Sequence, residues 1–181
     1  RSQGWSRMTG VDPKQPVAYS TEIATSRTLD MSLRREKAAQ LRLSLQLGVT
    51  TVSDIVKWAD SQIVSLDQPE IPMLDLSLME DAHPIDVMDK LGELADPITP
   101  LDVVATVLAD AHTALLEDSG FGRSLAKGLY HFWVESGYPT ELNECVAFDD
   151  EYALADQGIG TAEGALKRLL DFTGGYVSET E

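Results

Sequence analysis

Between residues 51 and 66 the apolar positions Val52, Ile55, Val56, Ala59, Ile63 and Leu66 recur at the spacing i, i+3, i+4, i+7, which marks a helix with one buried face. Thr51, with Asp54 three residues on, supplies a start resembling a capping box, and the two prolines of Asp67-Gln-Pro-Glu-Ile-Pro stop the helix. Upstream, Ser32 is placed to cap a helix running to Leu47, with Leu33, Leu41 and Leu45 apolar and Gly48 as its left-handed stop. Downstream, Pro84 fits the first position of a helix carrying Ile85, Met88, Leu91 and Leu94. Thr99-Pro100-Leu101-Asp102 combines a cap, an N1 proline and an acid at N3; its helix uses Val103, Val104, Val107, Leu108, Ala111 and Leu115 and stops near Gly120. Further helices are expected from about Phe121 to Ser136, ended by Gly137, from Thr140 to about Phe148, and from Ala162 to Phe172 before Gly174-Gly175.

One stretch is ambiguous. Leu74, Leu76 and Leu78 alternate with Asp75 and Ser77, which fits a short strand or extended segment near 73–79 as well as a helical turn. There is no βαβ alternation, recurring hairpin signal or strict repeat, so the expected fold is all-α: a single compact bundle of six to eight short helices. Residues 1–30 differ from the rest, being rich in Ser, Thr, Gly and Pro without a helical stripe. Met31, followed by Ser-Leu-Arg-Arg-Glu, reads like a natural start. The expected organisation is therefore a leader or N-terminal extension at 1–30, a helical domain at 31–176 and a short tail at 177–181.

Composition adds a constraint on partners. The chain has 14 Lys+Arg against 30 Asp+Glu, a formal net charge of −16 in 181 residues. Four bases (Arg34, Arg35, Lys37, Arg42) fall together, whereas residues 43–122 hold only Lys57 and Lys90 against fifteen acids. Such a surface repels nucleic acid and anionic membrane and attracts basic partners over a Debye length, roughly 8 Å at physiological salt. The single cysteine, Cys145, forms no internal disulfide, which points to a reducing compartment. No apolar run approaches the ~18–20 residues of a membrane span, so a soluble, cytoplasmic protein is expected.

Candidate chemistry is sparse. His83 lies among Glu80, Asp81, Asp86 and Asp89, but the spacing matches no metal motif, and the acids also suit a helix N-terminus. His112 and His131 fall in helices as structural residues. Cys145 has no flanking motif that would activate it and reads as a small buried thiol. Gly120-Phe-Gly122-Arg123, with Lys127, lacks phosphate-loop geometry and reads as one helix stop followed by the next start. No catalytic residue, metal or cofactor is assigned. The best candidate site is for a partner: Asp149, Asp150 and Glu151, flanked by Phe148 and Tyr152, with Asp156 beyond and Trp133 as a further aromatic anchor.

The run Leu41-Arg-Leu-Ser-Leu-Gln-Leu-Gly-Val-Thr-Thr-Val-Ser-Asp-Ile-Val-Lys-Trp-Ala-Asp, followed by Leu74-Asp-Leu-Ser-Leu, resembles small bacterial helical proteins of the polymorphic or contact-dependent toxin immunity type. The resemblance covers roughly 40 of the 181 residues and carries over no functional residue. It implies a non-enzymatic protein that neutralises a basic, nuclease-type toxin by occluding its active site, in keeping with the acidic charge. The alternatives are an acidic chaperone or adaptor for a secreted protein, or a metal-dependent hydrolase built on the histidines.

Overall fold

In the computed structural model the described residues are 18–177, with side chains from residue 28 onward. They form eight α-helices: α1 (Ala18–Leu47), α2 (Val52–Ser65), α3 (Ile71–Leu76), α4 (Pro84–Ala95), α5 (Val104–Glu117), α6 (Gly122–Glu135), α7 (Cys145–Asp156) and α8 (Ala162–Gly174). Short 3-10 turns precede α5, α6 and α7, and no strand occurs among the described residues. The fold is all-α, as the periodicity indicates. The chain divides into two units, residues 1–32 and 33–181. Residues 1–17 and 178–181, most of the expected leader and tail, lie outside the described residues.

The start of α1 corrects the sequence reading. Ser32 is not a cap, because the helix already runs through it from Ala18. The absence of an apolar stripe before Met31 conceals a helix that composition alone does not disclose. In the second unit the buried face of α1 is Ala38, Ala39, Leu41, Leu43 and Leu47, while Leu33 stays 56% exposed. Gly48 takes the expected left-handed conformation, φ +76°.

The caps are formed where the sequence places them. The Asp54 amide donates to Thr51 Oγ1 at 3.2 Å, and the Thr51 amide donates back to the Asp54 carboxylate at 3.3 Å. At Thr99 both the amide and the hydroxyl donate to Asp102, each at 2.7 Å, but here they close a 3-10 turn, Pro100–Val103, before α5 begins. The helix expected from Thr140 is likewise only a 3-10 turn at Thr140–Leu142, and α7 proper begins at Cys145. In the ambiguous stretch near 73–79 the chain is helical through Leu76 and then turns, with no extended segment. Pro72 sits in the first turn of α3, and Met73 and Leu76, three apart, are both buried.

The core runs through all the helices of the second unit. Val107, Leu108, Ala111 and Leu115 of α5 meet α8, and Leu125, Ala126, Leu129 and Phe132 of α6 pack beneath α7. In α4 the inward face is Val87, Leu91, Leu94 and Ala95; of the expected stripe Leu91 and Leu94 are buried, whereas Ile85 is 55% exposed.

Candidate binding surface

The acidic run lies wholly within α7, and the helix period decides what each carboxylate can do. Successive residues of an α-helix are rotated by about 100°, so three adjacent acids fan around the axis instead of forming one face. Cys145, Phe148 and Tyr152 form the buried stripe of α7. Glu144 and Glu151, seven apart, lie along one flank, and Asp149 and Asp156, also seven apart, lie along another.

Both flanks meet arginines of this chain. Arg168 of α8 pairs with Glu151 and sits 3.8 Å from Glu144. Arg123 of α6 grips Asp156 through two parallel bonds of 2.8 Å, and that carboxylate raises the guanidinium pKa. The same guanidinium lies 5.1 Å from the centre of the Tyr152 ring, and Arg168 lies 5.8 Å from that of Phe148. Glu151 and Asp156 are thus internally neutralised. Asp150 is exposed and has no cationic partner among the described residues, while Asp149 is half-buried and adds to the field at Arg123.

Two of the aromatic residues expected to anchor a partner, Phe148 and Tyr152, belong to the core. Phe148 is fully buried, with the Phe172 ring 5.1 Å away, and Tyr152 is 5% exposed. Among the described residues the buried Tyr152 hydroxyl has no hydrogen-bond partner, burial raises its pKa, and it occupies the space where a Cβ on Gly122 would stand. Trp133 lies at the other end of α6, eleven residues or about 16 Å from Gly122. It is half-buried, its indole N–H has no acceptor among the described residues, and its ring meets Tyr138 edge-on at 4.8 Å. Tyr138 itself holds φ +64°, left-handed backbone that a non-glycine residue rarely adopts. Trp133 therefore lies about three helical turns along α6 from the residue that meets Tyr152.

The candidate chemical groups have local structural partners. His83 caps α4, its Nδ1 accepting from the Ile85 amide at 3.3 Å. His112 Nδ1 lies 3.0 Å from the Thr173 hydroxyl, which itself lies 2.9 Å from the Leu169 carbonyl. The His131 ring lies edge-on to Tyr130. No three His, Cys, Asp or Glu side chains converge in metal-binding geometry among the described residues. The Cys145 thiol is buried and desolvation pushes its pKa up to about 12, the opposite of an activated nucleophile. No single helix among the described residues is long and apolar enough to cross a membrane. A groove of about 270 Å³ runs beside Glu151 and Arg168, lined by Leu154, Ile159, Gly160 and Thr161.

A second surface was not singled out from sequence. Ile71, Leu74 and Leu78 project from α3 and its trailing turn at 74%, 40% and 85% exposure, opposite buried Met73 and Leu76. Val64 in the last turn of α2 is 90% exposed. The i, i+3, i+7 spacing of 71, 74 and 78 was present in the sequence, but the alternation of leucines at 74, 76 and 78 obscured it. Around these residues the carboxylates of Asp67, Glu70, Glu80, Asp81, Asp86 and Asp89 are exposed, and none has a cationic partner among the described residues.

No protein family, curated protein or solved structure matches the chain.

Proposed function

We propose that this chain is an acidic protein-binding module whose partner is a basic protein. The observation that carries the reading is the unneutralised acidity: a formal net charge of −16, with exposed carboxylates between residues 67 and 89 that meet no internal cation. A field of this kind accelerates encounter with a basic partner and disfavours anionic ones. In its most specific form the module is an immunity protein that covers the active site of a basic, nuclease-type toxin. That form is supported by the resemblance of residues 41–78 and by the charge it requires, since a nuclease presents cations to its substrate.

The test is capture with the full chain from a lysate of the source cells, washed at rising salt. The expected result is one stoichiometric basic protein whose retention falls steeply between about 25 and about 150 mM salt. Retention indifferent to salt, or an acidic partner, overturns the reading. For the immunity form, co-expression must relieve the toxicity of the captured protein.

A further inference from the structure

The sequence of α3, Ile-Pro-Met-Leu-Asp-Leu, is apolar on every side but one. A helix that is hydrophobic all round is normally buried all round. Here only the side bearing Met73 and Leu76 is covered, at 2% and 0% exposure. The opposite side carries Ile71 and Leu74, and Leu78 extends it from the turn that follows the helix. Isolated exposed leucines are ordinary, but a stripe of them backed by a covered apolar face, with Val64 exposed on the preceding helix and Ile85 on the following one, is the composition of an interface. Solvent alone gives these positions no reason to be aliphatic.

We propose that this face of α3 docks a basic amphipathic helix of a partner protein, its apolar side chains on Ile71, Leu74 and Leu78 and its lysines or arginines toward the surrounding acids. The inference rests on the reading of the chain as a module for a basic partner and assigns that partner a surface. Charge selects the occupant. No Lys or Arg lies between Lys57 and Lys90, and Lys90 is already held by Asp75 at 3.2 Å and Glu93 at 3.1 Å. A second copy presenting the same face would set six carboxylates against six, a like-charge contact that costs association. A basic helix meets both requirements together: apolar residues at i, i+3 and i+7 match the stripe, and flanking cations match the rim.

The experiment uses a fluorescently labelled helical peptide of about 18 residues with a leucine face and a lysine face, titrated with the full chain. Anisotropy is expected to show binding that weakens as salt rises from about 25 to about 150 mM. The I71S/L74S/L78S variant is expected to weaken it by about tenfold or more, and Leu78→Ser alone by about threefold, because each loses buried aliphatic contact. Circular dichroism and urea unfolding confirm that both variants fold. A peptide of equal charge with its leucines replaced by serine is expected to lose the interaction, whereas the D149N/D150N variant keeps it within about twofold. Unchanged binding by the triple variant overturns the assignment of this face but leaves the basic-partner reading intact. If the wild-type chain binds no such peptide, the proposal fails, and salt-dependent lysate capture decides separately whether the broader reading falls with it. A concentration-dependent dimer in sedimentation, abolished by Leu78→Lys, would overturn the basic partner in favour of a second copy.

Discussion

The two acidic regions of this protein use similar residues to opposite ends. On α7 the carboxylates at 144, 151 and 156 face Arg168 and Arg123, and the neighbouring aromatics fill the core. Around α3 six carboxylates lie open beside large aliphatic side chains that the fold leaves uncovered. Acid density in the sequence is highest at 149–151, yet availability is greater at 67–89. Charge recruits a partner only where the chain has not already supplied the counterion.

The comparison breaks most visibly in the cost of removing an apolar side chain. Phe148→Ala is expected to destabilise the fold by about 3–5 kcal/mol, because a fully buried ring leaves a cavity. Leu78→Ser is expected to stay within about 0.5 kcal/mol, as at other solvent-facing positions. Urea unfolding measures both; comparable losses would mean that the α3 stripe supports the fold after all.

A smaller effect tests the tight fit at α7. Gly122→Ala places a methyl group against the Tyr152 hydroxyl and near Leu166, for a loss of about 1–2 kcal/mol. Tyr152→Phe is expected to be neutral or slightly stabilising, since the hydroxyl it removes is buried without a partner. The double variant should recover most of the Gly122→Ala loss. Simple additivity in the thermodynamic cycle would show that the phenol is not the obstacle.

Alkaline pH separates the regions more gently. The folded-state pKa of Cys145 is pushed up to about 12 from an ordinary value of 9.0, so the unfolded chain ionises first. The stability this thiol contributes is fully present below about 9 and is lost as pH rises toward 12; Tyr152, also raised, acts in the same sense from 10.0 upward. Cys145→Ala should flatten that slope in pH-resolved unfolding. At the acid end the signs reverse. Asp54 is held below 3.8 by the Thr51 hydroxyl and Asp102 below 3.8 by the Thr99 amide, so the contribution of both caps is present above that value and falls as pH drops through the lowered pKa.

The smallest effect concerns the internal counterion. Arg123→Gln opens an exposed ion pair, so thermal stability should hardly move while Asp156 becomes available to solvent. Association with a basic partner should quicken modestly at low salt; an unchanged rate would mean that Asp156 lies outside the field the partner senses.

These contrasts also show what the sequence discloses. Caps are local chemistry, and Thr51 with Asp54, Thr99 with Asp102 and the left-handed Gly48 are all legible three or four residues at a time. The core stripe of α5 is legible because its period is uninterrupted. The early part of α1 is not, since it has no apolar period to betray it. In α3 two periods coexist: the leucines at 74, 76 and 78 suggest a strand, while burial follows Met73 and Leu76. The candidate site at 149–156 was located as an acidic run, but its neutralisation depends on Arg123, 33 residues from Asp156, and Arg168, 17 residues from Glu151. Such pairings are set by how helices pack, and no local pattern announces them.

The bond between His112 and Thr173 spans 61 residues, and α8 is the last helix among the described residues. During synthesis, at about 5–20 residues per second, α5 emerges some 3–12 s before its polar partner exists. Through that interval the side of α5 that α8 will cover has no native cover, so a nascent or truncated chain ending before Ala162 presents apolar surface to the cell's folding and degradation machinery. The arrival of α8 is the event that covers this side of α5.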